Sequence, residues 1–183
     1  MTANATNSKT KVLVYGALCI ALSFALSYVK LFSMPFGGSV TLCSMLPLMF
    51  YAYRFGTPAG LLAGLAYGVL QFLQEPIVYH WAQVLLDYPL AFTMLGLTGI
   101  TRSKADLNQG AAWRLPLGML IACVGRLVFH VISAILFFAE YAPEGMSPWL
   151  YAFLYNGGFL GADLLICLLV VSIPPVRKTL LRL

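Results

Sequence analysis

Four ionisable side chains lie inside long apolar segments of the sequence: Asp87, Arg126, His130 and Asp163. A charge at the centre of a bilayer costs roughly 2.5–3.5 kcal/mol even on the mildest scale, so such groups pair with one another or form a site. Arg126 and Asp163 fall at similar depths, about 20 and about 21 Å along neighbouring segments at helical rise. This spacing predicts a structural ion pair, with a proton or ion relay as the alternative.

A second set of groups falls in the outer half of these segments. Asp87, His130 and Asn156 lie about 8, about 14 and about 11 Å below the outer ends of their segments. On a helix, His130 shares one face with Ala134 and Phe138, and the small Ala134 leaves room between the two rings. A carboxylate, an imidazole, an amide and an aromatic ring suit a flat, cationic, hydrogen-bonding ligand, because cations are attracted to aromatic faces.

Three tyrosines lie beside this set. Tyr88 stands between Asp87 and Pro89, and a proline permits a kink in a membrane helix. Tyr151 and Tyr155 are one helical turn apart, just before Asn156. Each tyrosine could line the same ligand site, or it could belong to the aromatic belt found at membrane interfaces.

The elements that must position these residues are apolar helices. The chain is 61% hydrophobic and 9% charged, with a mean hydropathy of +0.87, whereas a soluble domain is about 25% charged. This composition predicts an all-α integral membrane protein and excludes soluble enzymes. It also argues against nucleic-acid binding despite the net charge of +5, since the basic residues lie between apolar runs. We predict a single domain over residues 1–183 with six spans, at about 11–30, 42–53, 57–73, 82–100, 115–139 and 149–173.

Lysine and arginine predict the orientation, because cytoplasmic loops carry an excess of both. The outer side of a six-span arrangement holds Lys30 at the end of the first span, with Glu75, Glu140 and Glu144 in the loops. The predicted outer loops are 31–41, 74–81 and 140–148. Both termini are therefore predicted to be cytoplasmic. The cytoplasmic side would carry nine basic residues: Lys9, Lys11, Arg54, Arg102, Lys104, Arg114, Arg177, Lys178 and Arg182.

The first span carries small residues at every fourth position, Ala17, Ala21 and Ala25, which we call the alanine stripe. Small residues at this spacing let another helix pack closely. That helix could belong to this protein or to another membrane subunit.

A six-span chain with this stripe resembles the substrate-binding S-components of energy-coupling factor vitamin transporters, and most closely the thiamin-specific family. The resemblance covers most of the chain. The segments that carry it are MPFGGSV (34–40), YRFGTPAGLLAGLAYG (53–68), VLLDYPLAF (84–92), FHVISAILFFAEYAPEG (129–145) and WLYAFLYNG (149–157).

The resemblance implies a thiamin site near the outer surface of a multi-pass plasma-membrane protein. It implies that Phe138 stacks on the aminopyrimidine ring and that His130 lies against the thiazolium. Asp87, Tyr151 and Asn156 would hydrogen-bond the ligand or compensate its charge. The predicted ligand-binding residues are Asp87, Tyr88, His130, Ala134, Phe138, Tyr151 and Asn156.

The resemblance also implies a transport partner. The chain would carry out no chemistry and would hold no cofactor or metal. It would dock through the alanine stripe on a transmembrane coupling subunit that two cytoplasmic ATPases drive. Consistent with this, the sequence has no Walker A motif of its own.

Three alternatives stay open at this point. The ligand could be a related precursor such as hydroxymethylpyrimidine. The chain could be a stand-alone proton- or sodium-coupled carrier that uses Arg126 and Asp163. It could also be an intramembrane enzyme with Ser39 as nucleophile and His130 as base, although Ser39 lacks a G-x-S-x-G elbow.

Overall fold

The structure, a computed structural model, describes residues 2–102 and 113–176. Four of the predicted cytoplasmic charges, Lys104, Arg177, Lys178 and Arg182, lie outside these residues. The described chain is mostly helical, in agreement with the prediction. Its helices are α1 (Thr2–Ser27), α2 (Leu46–Phe55), α3 (Thr57–Gln74), α4 (Trp81–Thr101), α5 (Arg114–Phe137) and α6 (Pro148–Ser172).

Four helices in the described part of the chain are long and apolar enough to cross a bilayer. They are α1 from Lys9 onward, α4, α5 and α6. The helix ends follow local sequence signals. Both α3 and α6 begin with proline in the first turn, a position that proline favours because its missing N–H has no helical partner there. The predicted spans 57–73, 82–100, 115–139 and 149–173 match helices to within two residues.

The predicted second span, 42–53, does not form a full-length membrane helix. In its place α2 has ten residues, seven of them buried. A helix of this length rises about 15 Å, half of the roughly 30 Å hydrocarbon core. It is therefore a core helix surrounded by the others. One fully buried side chain from each of α2 to α6 belongs to the same hydrophobic core, namely Tyr53, Tyr67, Leu95, Met119 and Leu160.

The predicted outer loop 31–41 contains a β-hairpin, so the all-α description is incomplete. Strands β1 (Lys30–Ser33) and β2 (Ser39–Thr41) pair antiparallel, with Phe32 opposite Val40. Because α1 ends at Ser27, Lys30 starts β1 and does not end the first span as predicted. The turn is closed by a hydrogen bond of 2.6 Å from the Met34 amide to the Gly38 carbonyl. Gly37 has φ +100°, a conformation that favours glycine.

Helices α3 and α4 touch backbone to backbone along three glycines of α3, Gly60, Gly64 and Gly68, which we call the glycine seam. A Cβ at Gly64 would lie 2.4 Å from the Phe92 carbonyl oxygen, and one at Gly68 would lie 2.6 Å from the Tyr88 carbonyl oxygen. Any side chain there would push the two helices apart. The seam therefore fixes the position of the part of α4 that carries the candidate site.

Helix α4 is irregular along its length. A regular first turn is followed by a wide π-helical segment, Leu86–Leu90, and the helix ends in a tight 3-10 stretch, Met94–Thr101. Pro89 lies inside the wide segment, where its missing N–H breaks the regular ladder. The hydroxyl of Thr93 donates to the Pro89 carbonyl at 2.6 Å. Such π-bulges are frequent at functional sites, and this one carries Asp87 and Tyr88.

Candidate functional site

A cavity of about 980 Å³, including its open mouth, lies between the hairpin turn and helices α3 to α6. The structure brings all seven predicted ligand-binding residues to its wall: Asp87, Tyr88, His130, Ala134, Phe138, Tyr151 and Asn156. Their contacts with a ligand remain predictions.

Asp87 is the centre of a hydrogen-bond network at the cavity wall. Its Oδ2 atom accepts from Gln83 Nε2 and from Ser133 Oγ, each at 2.8 Å. Its Oδ1 atom lies 3.1 Å from His130 Nδ1. The Asp87 side chain is 19% exposed and the His130 side chain 11% exposed. The carboxylate is thus held by three protein groups while one edge still reaches the cavity.

Arg126 also lines the cavity, but it does not form the predicted ion pair with Asp163. Its Nε donates to His130 Nε2 at 3.2 Å, and its guanidinium carbon lies 4.0 Å from the centre of the Phe92 ring. One further N–H group points to the sulfur of Met45 at 2.9 Å. The two charges attract each other at longer range. The direct contact fails because His130, one turn away on the same helix, holds the guanidinium.

Asp163 instead fixes the end of the hairpin. Its Oδ1 accepts from the Thr41 amide at 2.7 Å, and the Thr41 hydroxyl lies 3.2 Å from the same oxygen. The Thr41 hydroxyl also shares a hydrogen bond of 2.6 Å with Ser44. Asp163 is 3% exposed, so its carboxyl group is bound entirely by groups inside the protein. These contacts make it a structural anchor between α6 and β2.

Aromatic side chains form the outer part of the cavity. The Tyr151 and Tyr155 rings lie 5.8 Å apart, and Phe138 packs edge-on against Tyr79 at 4.8 Å between centroids. At the mouth, a hydrogen bond with Tyr79 raises the pKa of the Tyr141 phenol above its usual value. The Tyr155 hydroxyl accepts from the Gly38 amide at 3.2 Å and donates to the Pro35 carbonyl. The hairpin turn is therefore held over the cavity by α6.

Asn156 lines the cavity from α6. The residue is 5% exposed, and its side-chain nitrogen donates to the Ala152 carbonyl at 2.8 Å. That bond fixes the orientation of the amide group. The oxygen can then accept a hydrogen bond from a ligand N–H group.

The sequence of this chain matches a family of thiamine transporters. The family model described as "Thiamine transporter protein (Thia_YuaJ)" matches residues 13–182. The chain belongs to that family.

Individual relatives agree with this assignment. The chain is 35% identical over 151 residues to thiamine transporter ThiT of Bacillus subtilis strain 168, covering 77% of each protein. It is 26% identical over 176 residues to ThiT of Lacticaseibacillus paracasei, covering 88% of this chain and 85% of the relative. A solved structure of ThiT from Listeria monocytogenes superimposes with a TM-score of 0.82 at 24% identity, over 95% of this chain and 98% of that one. The fold is thus shared with an experimental structure.

Family membership and the long apolar helices make this a multi-pass plasma-membrane protein of a transporter family, not of an enzyme family. The alanine stripe lies on the surface of α1. Ala17, Ala21 and Ala25 are all exposed, and α1 packs against the rest of the protein through other residues, among them Ser23 and Ser27. The stripe is therefore a free surface in the described structure and not an internal packing face.

Several lining residues escaped the sequence prediction. Gln83 lies one turn before Asp87, a spacing that could have revealed it as a partner on the same helix face. Glu75 lies in the polar segment after α3 and pairs with Lys30 of the hairpin. Arg126 was assigned to a structural pair, although it reaches the cavity. The other unpredicted lining residues include Gln71, Ile77, Phe92, Tyr141 and Phe159.

Proposed function

We propose that this protein is the thiamin-capturing S-component of an energy-coupling factor transporter. The observation that carries the proposal is the cavity itself. In a member of a thiamine transporter family, it combines one hydrogen-bonded carboxylate with aromatic walls and a buried amide. Thiamin is a singly charged cation with two planar rings and with hydrogen-bonding groups on its pyrimidine ring. Such a ligand can use every one of these features.

Each lining group has a proposed part in binding. Asp87 compensates the positive charge of the ligand, and His130 lies against the thiazolium ring. Phe138 stacks on the aminopyrimidine ring, while Tyr151 and Asn156 hydrogen-bond to it. Tyr88 and Ala134 shape the wall, since Ala134 leaves the space that a ring requires. The ligand is a cargo, and the protein holds no resident cofactor or metal.

The proposed topology is a single six-span domain over residues 1–183 with both termini in the cytoplasm. This orientation places the hairpin and the cavity on the outer side, where the vitamin is captured. The alanine stripe then offers a smooth, exposed helix surface to a transmembrane coupling subunit. Two cytoplasmic ATPases that act through this subunit supply the energy for uptake.

The alternative functions have weaker support. An ion-coupled carrier would need a relay through Arg126 and Asp163, but Asp163 is bound to Thr41 and Arg126 to His130. An enzyme would need His130 to act as base on Ser39. Both nitrogens of His130 are already engaged, by Asp87 and by Arg126. Hydroxymethylpyrimidine is neutral, so it would leave the charge of Asp87 uncompensated in the site.

Calorimetric titration of the detergent-purified protein with thiamin tests the proposal. We expect saturable binding that Asp87→Asn weakens by about a hundredfold, because a charge-assisted contact is worth roughly 1.5–3 kcal/mol. Glu144→Gln removes a carboxylate from the exposed outer loop and serves as the matched control, with unchanged binding. Binding of hydroxymethylpyrimidine that is tighter than that of thiamin and indifferent to Asp87→Asn would favour the neutral precursor. Absence of heat with both ligands would contradict the proposal.

A further inference from the structure

The hydrogen bonds around His130 have a fixed direction. An arginine Nε–H group can only donate, so the Nε2 atom of His130, 3.2 Å from Arg126 Nε, must accept and carries no proton. The ring proton therefore resides on Nδ1, which lies 3.1 Å from Asp87 Oδ1. The contacts run in one direction, from Arg126 through His130 to Asp87.

We propose that Arg126 is a positioning residue that keeps His130 neutral and thereby leaves the negative charge of Asp87 available to a cationic ligand. The proposal rests on the proposed function, because it names the charge that a transported ligand must carry. Arg126 acts here through His130 and not by touching the charged centre of the ligand. The positions of Asp87 and His130 alone would not require a neutral imidazole ring, since an imidazolium could also pair with Asp87.

The other charges that reach the cavity are already balanced within the protein. Glu75 pairs with Lys30 at the mouth. Arg126 is attracted more strongly by Asp163 of α6 than by Asp87, and Asp163 is held in place by the Thr41 amide, which donates to its Oδ1 at 2.7 Å. With His130 neutral, Asp87 is left as one unbalanced negative charge. A ligand with one positive charge completes the neutrality that a buried site in a membrane requires.

Protonation of His130 would undo this arrangement in two ways. An Nε2–H group would point at the Arg126 Nε–H group, so that the hydrogen bond becomes a repulsion between two donors. The imidazolium would also neutralise Asp87. The groups that face His130 are Asp87 from α4, Arg126 on its own helix and the Phe159 ring from α6, at 5.9 Å between centroids. Of these, Asp87 favours the protonated ring, and Arg126 opposes it.

Nitrogen NMR of the histidine rings tests the proposal directly, because the chain has only two histidines. His80 caps α4 by accepting from the Ala82 amide. His80→Asn preserves such a cap and leaves His130 as the only labelled ring. We expect a protonated Nδ1 and an unprotonated Nε2 from about pH 5.5 to about pH 8, a range in which an ordinary histidine titrates.

Arg126→Met removes the donor and the charge, and Arg126→Lys retains both. In Arg126→Met we expect His130 to become doubly protonated at the lower pH, with thiamin binding about tenfold weaker there than at the higher pH. In Arg126→Lys we expect the wild-type ring signals and pH-independent binding. A change in overall packing would lower affinity at all pH values and would leave the ring signals unmoved.

Two outcomes would overturn the proposal. One is a proton on Nε2 of His130 in the otherwise unchanged protein, a result that does not depend on any Arg126 variant folding. The other is Arg126→Met with unaltered ring signals. The proposed function is tested separately by thiamin calorimetry. If the ring signals are as expected but thiamin does not bind, thiamin is the wrong cation and the role of Arg126 stands.

Discussion

Helices α1 and α3 each carry three small residues at four-residue spacing, and they present them to different surroundings. The alanine stripe of α1 is exposed. The glycine seam of α3 is buried against the backbone of α4. Both patterns predict that another helix can approach closely. The glycine seam of α3 packs against α4 of the same chain. No described part of the chain packs against the alanine stripe of α1.

The side chains explain the difference. A glycine has no Cβ, so the backbones of α3 and α4 come into direct contact. An alanine keeps its methyl group and gives a smooth surface that can be covered and uncovered without exposing backbone. In α1 the inward face uses other residues, such as Gly16 against Tyr51. Spacing therefore predicts close packing, and the residue type decides whether backbone atoms or methyl groups form the contact surface.

The largest effect should come from enlarging the glycine seam. In Gly64→Leu the new Cβ would meet the Phe92 carbonyl oxygen at 2.4 Å, a backbone atom that cannot move alone. We expect a loss of about 3 kcal/mol or more of unfolding free energy, measured by thermal unfolding in detergent. Ala21→Leu on the alanine stripe is the control and should change stability by less than about 0.5 kcal/mol. Equal losses in both variants would contradict the comparison.

The next effect concerns the alanine stripe and appears in transport alone. Ala21→Trp should bind thiamin like the unmodified protein, yet uptake into cells that carry the coupling module should fall at least about tenfold, because a bulky ring blocks close helix packing. Leu165→Trp adds the same ring at an exposed position of α6, away from α1 in the chain, and should spare uptake. Normal uptake by Ala21→Trp would show that the stripe is not the docking surface.

A smaller effect should link the glycine seam to the cavity. Gly68→Ala places a methyl group 2.6 Å from the Tyr88 carbonyl oxygen and so displaces the segment that carries Asp87. Binding sites lose function when their groups move by about 0.5 Å, and we expect calorimetry to show thiamin binding weakened about tenfold. Ala66→Ser, on the exposed face of α3, is the matched control. Affinity unaffected by Gly68→Ala would mean that the seam does not set the site geometry.

The smallest effect should occur where α1 meets the core. In Gly16→Ala the methyl group would lie 2.9 Å from the Tyr51 hydroxyl, the free end of a side chain that can shift. That hydroxyl donates to the Val12 carbonyl at 3.0 Å, so we expect a loss of about 1 kcal/mol in thermal unfolding. Tyr51→Phe removes the obstructing oxygen. The double variant should then lose less than the sum of the two single changes.

Hydropathy predicted the long helices well, because a span of about 20 apolar residues is a local property of the sequence. The hairpin escaped prediction for the opposite reason. Strand pairing joins Phe32 to Val40 across a turn, and the Pro35–Gly37 segment indicates a loop as readily as a hairpin. The predicted second span overlaps α2, but sequence could not show that α2 covers only Leu46–Phe55 and is buried in the core.

The cavity residues were predictable from depth along helices and from the family resemblance. Depth does not specify the direction in which a side chain leaves its helix, and this explains the error at Arg126 and Asp163. Arg126 turns toward His130, and Asp163 turns toward Thr41. Gln83 and Ser133 were missed because neither stands out by charge. The contact of Ser133 with Asp87 also depends on the packing of α5 against α4, which the sequence does not specify.

The short length of α2 bears on how the protein is assembled during synthesis. Insertion machinery accepts segments that are long and apolar enough to rest in lipid, and a ten-residue helix with seven buried residues does not qualify alone. We expect α2 to enter together with α3, from which only Gly56 separates it, and to find its place once the later helices close around it. Thiol labelling of a Met49→Cys chain that is cut before α4, and in which the four native cysteines are replaced by alanine, would reveal this as a reactive thiol that the full-length chain protects.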